Sequence, residues 1–243
     1  MKRFVIGDIH GELEKLDTLL SQWNVDNERL VFLGDFVDRG PNSYGVVERV
    51  RQLHEAYGAD VVGGNHDQML LDWLERPESY YYYGQGGGKT IDSFFGESLT
   101  HLYTPDHLAK RIKKEFPETI AFLEGLPNYL EWRDFVFVHA GVDLTYLDWR
   151  ETNKPDFRWI REDFHYKPNK TGKTILFGHT PTFYLNKDKS FDVWVSPCGT
   201  KIGLDGGAVF GGNLHGLKIN TAKDMTLHTL TADNQLKELA LAI

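Results

Sequence analysis

Aspartate, asparagine and histidine recur at five places where an apolar run gives way to a polar, glycine-bearing turn. These are Gly7-Asp8-Ile9-His10-Gly11, Gly34-Asp35-Phe36-Val37-Asp38-Arg39-Gly40, Gly64-Asn65-His66-Asp67, His139-Ala140-Gly141 and Gly178-His179. The runs ahead of them, Phe4 to Ile6, Leu30 to Leu33, Val61 and Val62, Phe135 to Val138 and Ile175 to Phe177, read as short strands. Carboxylate, amide and imidazole are metal-ligand types. One such group after a strand carries little weight, but five in one chain point to a hydrolytic centre built on two cations.

The residue types suggest a division of labour. Side chains two apart on an extended segment share a side, so Asp8 and His10 are expected to reach one cation, provided the chain stays extended past Gly7. Asp35 has two oxygens and is the natural bridge. Asn65 and His66 are neighbours and should diverge. The Asn65 carbonyl is assigned to a second cation completed by neutral His139 and His179, and His66 is turned toward substrate. Two divalent cations set against Asp8, Asp35 and a bridging hydroxide leave a net positive centre suited to a phosphate dianion. The ligand mixture fits Mn, Fe or Zn better than a site of Mg or Ca alone. Paired cations would activate a bridging water for direct in-line attack on phosphorus. His66 would then protonate the departing oxygen if a carboxylate orients its other nitrogen, with Asp38 the best-placed partner and Asp67 the next. Arg39 offers a planar fork for phosphate oxygens.

Helical and extended stretches must hold these groups. Leu13, Leu16, Leu19, Leu20 and Trp23 make one apolar stripe; Val46, Val47, Val50 and Leu53 make a second, with Ser43 its expected N-cap; Met69, Leu70, Trp73 and Leu74 make a third. Alternation of strand and helix implies parallel pairing and right-handed crossovers. From about Glu75 to Leu126 the pattern is helical, with the run Tyr80 to Tyr83, then Gly86 to Gly88, then a long helical stretch near Asp106 to Leu123. The final third is strand-rich, with runs near 128–131, 135–138, 174–177, 192–195, 201–204, 213–219 and 225–230. Two sheets packed face to face, with helices outside, accommodate this order. No linker interrupts it, so residues 1–243 are expected to form one catalytic domain.

Composition excludes several function classes. The net charge of -8 over 243 residues argues against a nucleic-acid or anionic-membrane binder, which needs a basic face. A phosphorylated substrate remains compatible, since bound cations reverse the local sign. A single cysteine, Cys198, excludes an internal disulfide, fits a reducing compartment and reads as a buried or idle thiol. The first strand starts next to Met1, and no apolar run approaches the roughly 20 residues of a membrane span, so a cytoplasmic location is expected. Gly88-Lys89-Thr90 and Gly172-Lys173-Thr174 look like the end of a phosphate-binding loop, but Tyr83 and Lys167 stand where its leading glycine belongs. His54, His101, His107, His165, His215 and His228 share no setting and are taken as structural.

In their order, the blocks Gly7–Gly11, Gly34–Gly40 and Gly64–Asp67 (GDxHG, GDxVDRG and GNH followed by an acid) resemble the phosphoprotein phosphatase family of metallophosphoesterases. The nearest branch is that of the compact bacterial and bacteriophage-lambda-type serine/threonine phosphatases. The resemblance extends through Gln68-Met69-Leu70, Gly86-Gly87-Gly88, Trp159-Ile160-Arg161, Phe177 to Pro181 and Gly207 to Leu214. It implies an α/β fold of the calcineurin-like αββα type, two mixed β-sheets flanked by helices, and a di-metal centre supported by Mn2+. Asp8, His10 and Asp35 would hold one metal; Asp35, Asn65, His139 and His179 would hold the other. His66 with Asp38 would be the acid dyad, and Arg39 with Arg161 would bind phosphate. The implied activity is hydrolysis of phosphoserine or phosphothreonine in a phosphorylated protein, or of a small phosphoester. Two positions depart from that pattern. Gly63 stands where lambda-type enzymes have an arginine, and Asp67 is similar instead to the symmetrical dinucleoside tetraphosphatases, which themselves often lack an intact Asp38-Arg39 pair. Symmetrical hydrolysis of a dinucleoside (diadenosine) tetraphosphate on the same di-metal core is therefore the alternative activity. A non-catalytic binding scaffold would predict lost ligands, and none is lost.

Overall fold

The computed structural model describes residues 1–78 and 80–241. The chain opens with three strand-helix units: β1 (Lys2–Ile6), α1 (Leu13–Leu20), β2 (Glu28–Phe32), α2 (Ser43–Tyr57), β3 (Asp60–Val61) and α3 (Asn65–Glu75). Four helices follow, α4 (Tyr80–Gly84), α5 (Gly87–Phe95), α6 (Pro105–Glu115) and α7 (Pro117–Glu124). The remainder comprises β4 (Tyr129–Trp132), β5 (Phe135–Val138), α8 (Asp156–Trp159), α9 (Glu162–His165), β6 (Thr174–Phe177), α10 (Thr182–Leu185), β7 (Trp194–Val195), β8 (Lys201–Gly203), β9 (Leu214–Thr221), β10 (Asp224–Leu230) and β11 (Leu236–Ala240).

These strands form two mixed sheets. One has the order β11-β10-β9-β1-β2-β3, with β1, β2 and β3 parallel; the other has the order β4-β5-β6-β8-β7, with β5, β6 and β8 parallel. Period-two alternation explains the layers. Val5, Val31 and Leu33 pack with Phe135, Phe137, Leu176 and Leu217 in one apolar cluster between the sheets. The intervening Phe4, Ile6, Leu30 and Phe32 pack with residues of α1 to α7. Val136, Val138, Ile175 and Phe177 pack with Phe157 and Phe164 on the other outer face. Strands covered on both faces carry continuous apolar runs, as these do. Truncating one of these side chains, Leu217→Ala for instance, costs about 2–5 kcal/mol. The αββα sandwich is thus the expected fold.

Function depends on where the parallel strands end. Loops after the C-terminal ends of β1, β2, β3, β5, β6 and β8 carry the polar groups, the edge where parallel sheets place ligands. They pack closely. At Gly34 (φ +94°) a Cβ would lie 2.5 Å from the Gly64 nitrogen, so only glycine lets the second and third loops touch.

Three local details refine these expectations. Asn42, not Ser43, caps α2: its Oδ1 accepts from the Gly45 N–H at 2.9 Å, and the Ser43 hydroxyl instead accepts from the Asp38 N–H at 3.0 Å. The helical stretch expected near 106–123 is present as two helices, because Pro117 has no N–H to continue α6 and disfavours helical backbone at Phe116, where φ is -129°. The strand β11 was not foreseen. Its five residues are all exposed and carry no buried face to produce a periodic signal.

Candidate metal centre

Eight non-glycine residues among those described have positive φ, and five lie in the ligand loops: His10 (48°), Asp35 (54°), Asp38 (73°), Arg39 (69°) and His179 (64°). Left-handed backbone disfavours side chains, so its concentration here marks a site held in place by its surroundings. It also corrects the assumption that the chain stays extended through Asp8 and His10. The Ile9 and His10 N–H groups both donate to the Asp35 carbonyl, which curls the loop before His10. Asp8 instead accepts from the His179 N–H at 2.9 Å.

Two groups of buried donors converge. One comprises His10, Asp35 and His66, the other Asp35, His139 and His179, each with its ligand atoms mutually within 4.8 Å. Asp35 faces both: Oδ2 is 3.4 Å from His10 Nε2, and Oδ1 is 3.4 Å from His139 Nε2. Asn65 joins the second group, its Oδ1 lying 2.9 Å from His139 Nε2 and 2.8 Å from His179 Nδ1.

The donor set fits cations. His139 Nδ1 sits 2.8 Å from the Leu33 carbonyl, which only accepts, so Nδ1 carries a proton and Nε2 is left facing two oxygens. Acceptors facing acceptors need a proton or a cation between them. Burial would push the His139 imidazole down, but Asp35 and Asp8 overcome this and raise it to about 9, so without a cation a proton on Nε2 fills that space. His10 also places Nδ1 on a carbonyl, that of Val37 at 2.7 Å. Burial lowers it to about 3 against the pull of Asp35 and keeps it neutral. Burial, helped by His139 and Arg161, likewise holds His179 well below the usual range. Burial and neighbouring Asp205 raise the Asp8 carboxyl well above its ordinary value. Such crowded acidic charge is what divalent cations neutralise.

Around these groups lies a hydrogen-bond network. His66 Nδ1 is 2.6 Å from Asp38 Oδ2, and Asp38 Oδ1 accepts from the Tyr82 hydroxyl at 2.8 Å and the Thr90 hydroxyl at 2.7 Å. Asp38 is thus the partner of His66. Asp67, the other candidate, accepts from the N–H groups of Asp35 (3.0 Å), Phe36 (2.9 Å) and Gly64 (2.8 Å), and so clamps the second loop to the third. Arg39 directs one fork nitrogen to His10 Nε2 and the other to His66 Nε2, both at 2.6 Å. Arg161 donates to the Thr180 hydroxyl at 2.8 Å, beside His179. The residues singled out as ligands, acid and phosphate grips lie at this one edge of the two sheets, but Asp8 is in neither group of converging donors, and His66 stands beside His10 and Asp35 where Asp8 was expected.

Three contributors were missed. Tyr82, within the tyrosine run, turns its hydroxyl onto Asp38, and Thr90 belongs to a triplet set aside as a false phosphate loop. Asp205 follows β8, is buried beside Asp8 and accepts from the Gly207 N–H at 2.9 Å. The signal for Asp205 was present, since Gly203-Leu204-Asp205-Gly206 places an acid before glycine after a strand. His215, by contrast, is a satisfied core residue between Thr229 and the Phe191 carbonyl.

A two-sheet sandwich with paired His/Asp clusters at its C-terminal strand edge defines a metal-dependent phosphoesterase with a di-metal site. The chain belongs to the calcineurin-like phosphoesterase family, whose model matches residues 1–212. Among curated proteins it is 28% identical over 256 residues to the asymmetrical bis(5'-nucleosyl)-tetraphosphatase PrpE of Bacillus mycoides (strain KBAB4), covering 90% of each chain. It is 29% identical over 249 residues to PrpE of Bacillus cereus (strain AH187), again covering 90% of each. Among solved structures, one protein provisionally named a diadenosine tetraphosphatase superposes with a TM-score of 0.64 at 20% identity, over 98% of this chain and 93% of that one. The cold-active protein-tyrosine phosphatase of a Shewanella species gives 0.59 at 18% identity, over 98% and 80%. These two likenesses establish the fold. The tetraphosphatase relatives overturn the placement among serine/threonine phosphatases that the three blocks suggested. Those blocks supply His10, Asp35, Asn65 and His66 to the two groups of buried donors, which bear on metal chemistry and not on the substrate. Among the described residues, no helix is long and apolar enough to cross a membrane.

Proposed function

We propose that the chain hydrolyses dinucleoside polyphosphates, cleaving a phosphoanhydride with one water to give two nucleotides. The observation that carries this reading is the match to bis(5'-nucleosyl)-tetraphosphatases over nine-tenths of both chains. The whole chain acts as one catalytic domain, since β9 to β11 extend the sheet of β1 while β5 and β6 supply His139 and His179.

In this reading Asp8, His10 and Asp35 hold one cation, and Asp35, Asn65, His139 and His179 hold the other, with Mn2+ the favoured ion and Fe or Zn compatible. When bound, two such cations supply an activated water and offset charge at phosphorus. The protein supplies the rest. Arg39 and Arg161 grip the phosphoryl oxygens from opposite clusters. Asp38, oriented by Tyr82 and Thr90, fixes the His66 ring, so that Nε2 delivers a proton to the departing oxygen once phosphate draws the Arg39 fork off that nitrogen. His66 is also near enough to His10 and Asp35 to ligate a metal. His66→Asn with metal content retained and turnover lost separates the acid role from the ligand role. A phosphate leaving group ionises near neutral pH and needs less help than an alkoxide. The substitution should therefore harm alkyl phosphate hydrolysis more than anhydride hydrolysis.

The deciding experiment compares diadenosine tetraphosphate with a phosphopeptide panel on protein reconstituted with Mn, Fe, Zn or Mg. The expected result is a preference of about a hundredfold for the dinucleotide, on the order of the discrimination a polar site achieves. ATP plus AMP would identify asymmetrical cleavage, and two ADP symmetrical cleavage. A preference for phosphopeptides would overturn the reading.

A further inference from the structure

The arginines of this chain divide by their partners. Arg3, Arg29, Arg49, Arg51, Arg111 and Arg150 each lie within ion-pair distance of a carboxylate. Arg158 is half-buried and has no such partner among the described residues. Its Nη1 donates to Gln68 Oε1, and its Nε is buried without any hydrogen-bond partner. Its remaining nitrogen lies over the bare α-carbon of Gly63. A methyl group built there would be 3.0 Å from Nη2 and 3.3 Å from Cζ. Position 63 is where the sequence resemblance calls for an arginine, and the guanidinium of Arg158 fills the space a side chain there would enter.

The segment is fastened to the metal centre on both sides of Arg158. The Phe157 carbonyl accepts from the Ala140 N–H at 2.9 Å, next to His139. The Trp159 ring meets the His179 ring edge-on at 5.9 Å, and Arg161 reaches Thr180. Beside Arg158 opens a cleft of about 460 Å³ with Lys154, Asn128 and Trp159 on its wall. Asp72 and Glu124 line it too, so its affinity for anions rests on the placement of Arg158, not on net charge. A desolvated guanidinium with unused donors is costly unless an anion completes it.

The geometry points to Arg158 as a substrate-binding residue that holds phosphates of a polyphosphate chain beyond the one under attack. This deepens the dinucleoside polyphosphate reading and rests on it. A monoester presents one phosphate, which Arg39 and Arg161 already serve; a chain of four runs past them and requires a further cation. Arg158 makes the site selective for chain length.

The test uses metal-loaded protein, with metal in excess over probe, and follows inhibition of p-nitrophenyl phosphate hydrolysis by inorganic tripolyphosphate and by orthophosphate. In Arg158→Met the inhibition constant for tripolyphosphate should rise about tenfold, the scale of one lost charge-assisted contact. Orthophosphate inhibition and the kinetic constants for the nitrophenyl ester should stay within about twofold. Arg158→Lys keeps the charge without the fork and should give an intermediate rise; it decides the matter if the Met variant does not fold. Unchanged tripolyphosphate inhibition, or an equal rise for both inhibitors, would overturn the assignment. Failure to cleave diadenosine tetraphosphate while the tripolyphosphate effect persists would sink the proposed activity alone.

Discussion

Tyr82 and Asp38 are joined by a hydrogen bond of 2.8 Å from the phenol to Oδ1, with both side chains buried. Burial and the nearby Asp38 hold the phenol well above its usual range, so it stays a donor. The short helix α4 thereby orients the carboxylate that fixes His66. In Tyr82→Phe, Asp38 Oδ1 keeps only Thr90 as a side-chain donor. Loss of a hydrogen bond to a charged acceptor costs about 1.5–3 kcal/mol. We expect urea unfolding to record a loss of stability in this range. Turnover of alkyl phosphates should fall about tenfold, with a smaller effect on nitrophenyl phosphate. Equal losses on both esters would reduce Tyr82 to a packing role.

Arg39 provides a second test because its backbone and its side chain make opposite demands. Its φ of 69° is left-handed, which costs a side-chain-bearing residue about 1–2 kcal/mol. Arg39→Ala and Arg39→Gly both remove the fork that touches His10 and His66, and both should lose activity by about a hundredfold. Only glycine relieves the backbone. The Gly variant should therefore unfold at higher urea than the Ala variant, although glycine loses more entropy on folding. Equal midpoints would show that the loop imposes no strain.

The elements that carry ligands were legible because two independent patterns coincided, an apolar run for the strand and a polar type with glycine after it. Val5 and Leu33 face one layer while Phe4 and Phe32 face the other, and such double burial produces continuous runs that sequence displays well. What failed was local geometry. The turn at His10 is set by the Asp35 carbonyl, a group 25 positions later in the chain. Period-two reasoning could not see it. Tyr82 and Thr90 were hidden for the same reason, since Asp38 lies 44 and 52 positions away from them. Substrate was the least legible property. The three blocks supply donors to the two buried groups, whereas in our proposal discrimination between a protein phosphoester and a nucleotide anhydride falls to rim residues such as Arg158, placed by α8 and by the empty Cβ position of Gly63.

Removal of metal should destabilise the fold. Asp8, Asp35 and Asp205 are buried at one edge of the sheets, and bound cations offset their mutual repulsion. A ligand present at a thousand times its Kd stabilises by about 4 kcal/mol. At this chain length that is on the order of 10 °C in Tm. Chelation should lower Tm by this amount, and Mn2+ should restore both Tm and activity. Asp35→Asn, which weakens the group shared by both clusters, should show little response to either treatment. A chelated wild-type protein with unchanged Tm would refute cation binding at these residues.

Cys198 lies outside the site, and its chemistry gives a pH-dependent measurement free of the metals. The thiol is exposed, not buried as the sequence suggested, because it sits in the turn between β7 and β8, with Ser196 Oγ at 3.3 Å and Thr200 Oγ1 at 3.0 Å. Hydrogen bonds from Ser196 and then Thr200 favour the thiolate and pull the thiol down to about 7. The thiolate is the nucleophile, so alkylation by iodoacetamide should accelerate as pH rises and reach half its plateau near pH 7, whereas an ordinary cysteine does so at about 8.5. Thr200→Val removes one hydroxyl and should shift that midpoint upward. Complete alkylation should leave phosphoesterase turnover unchanged, because no residue of the two clusters touches this thiol. A wild-type midpoint at the ordinary value would show that the two hydroxyls do not solvate the anion. Loss of turnover on alkylation would place the loop after β7 in communication with the metal edge.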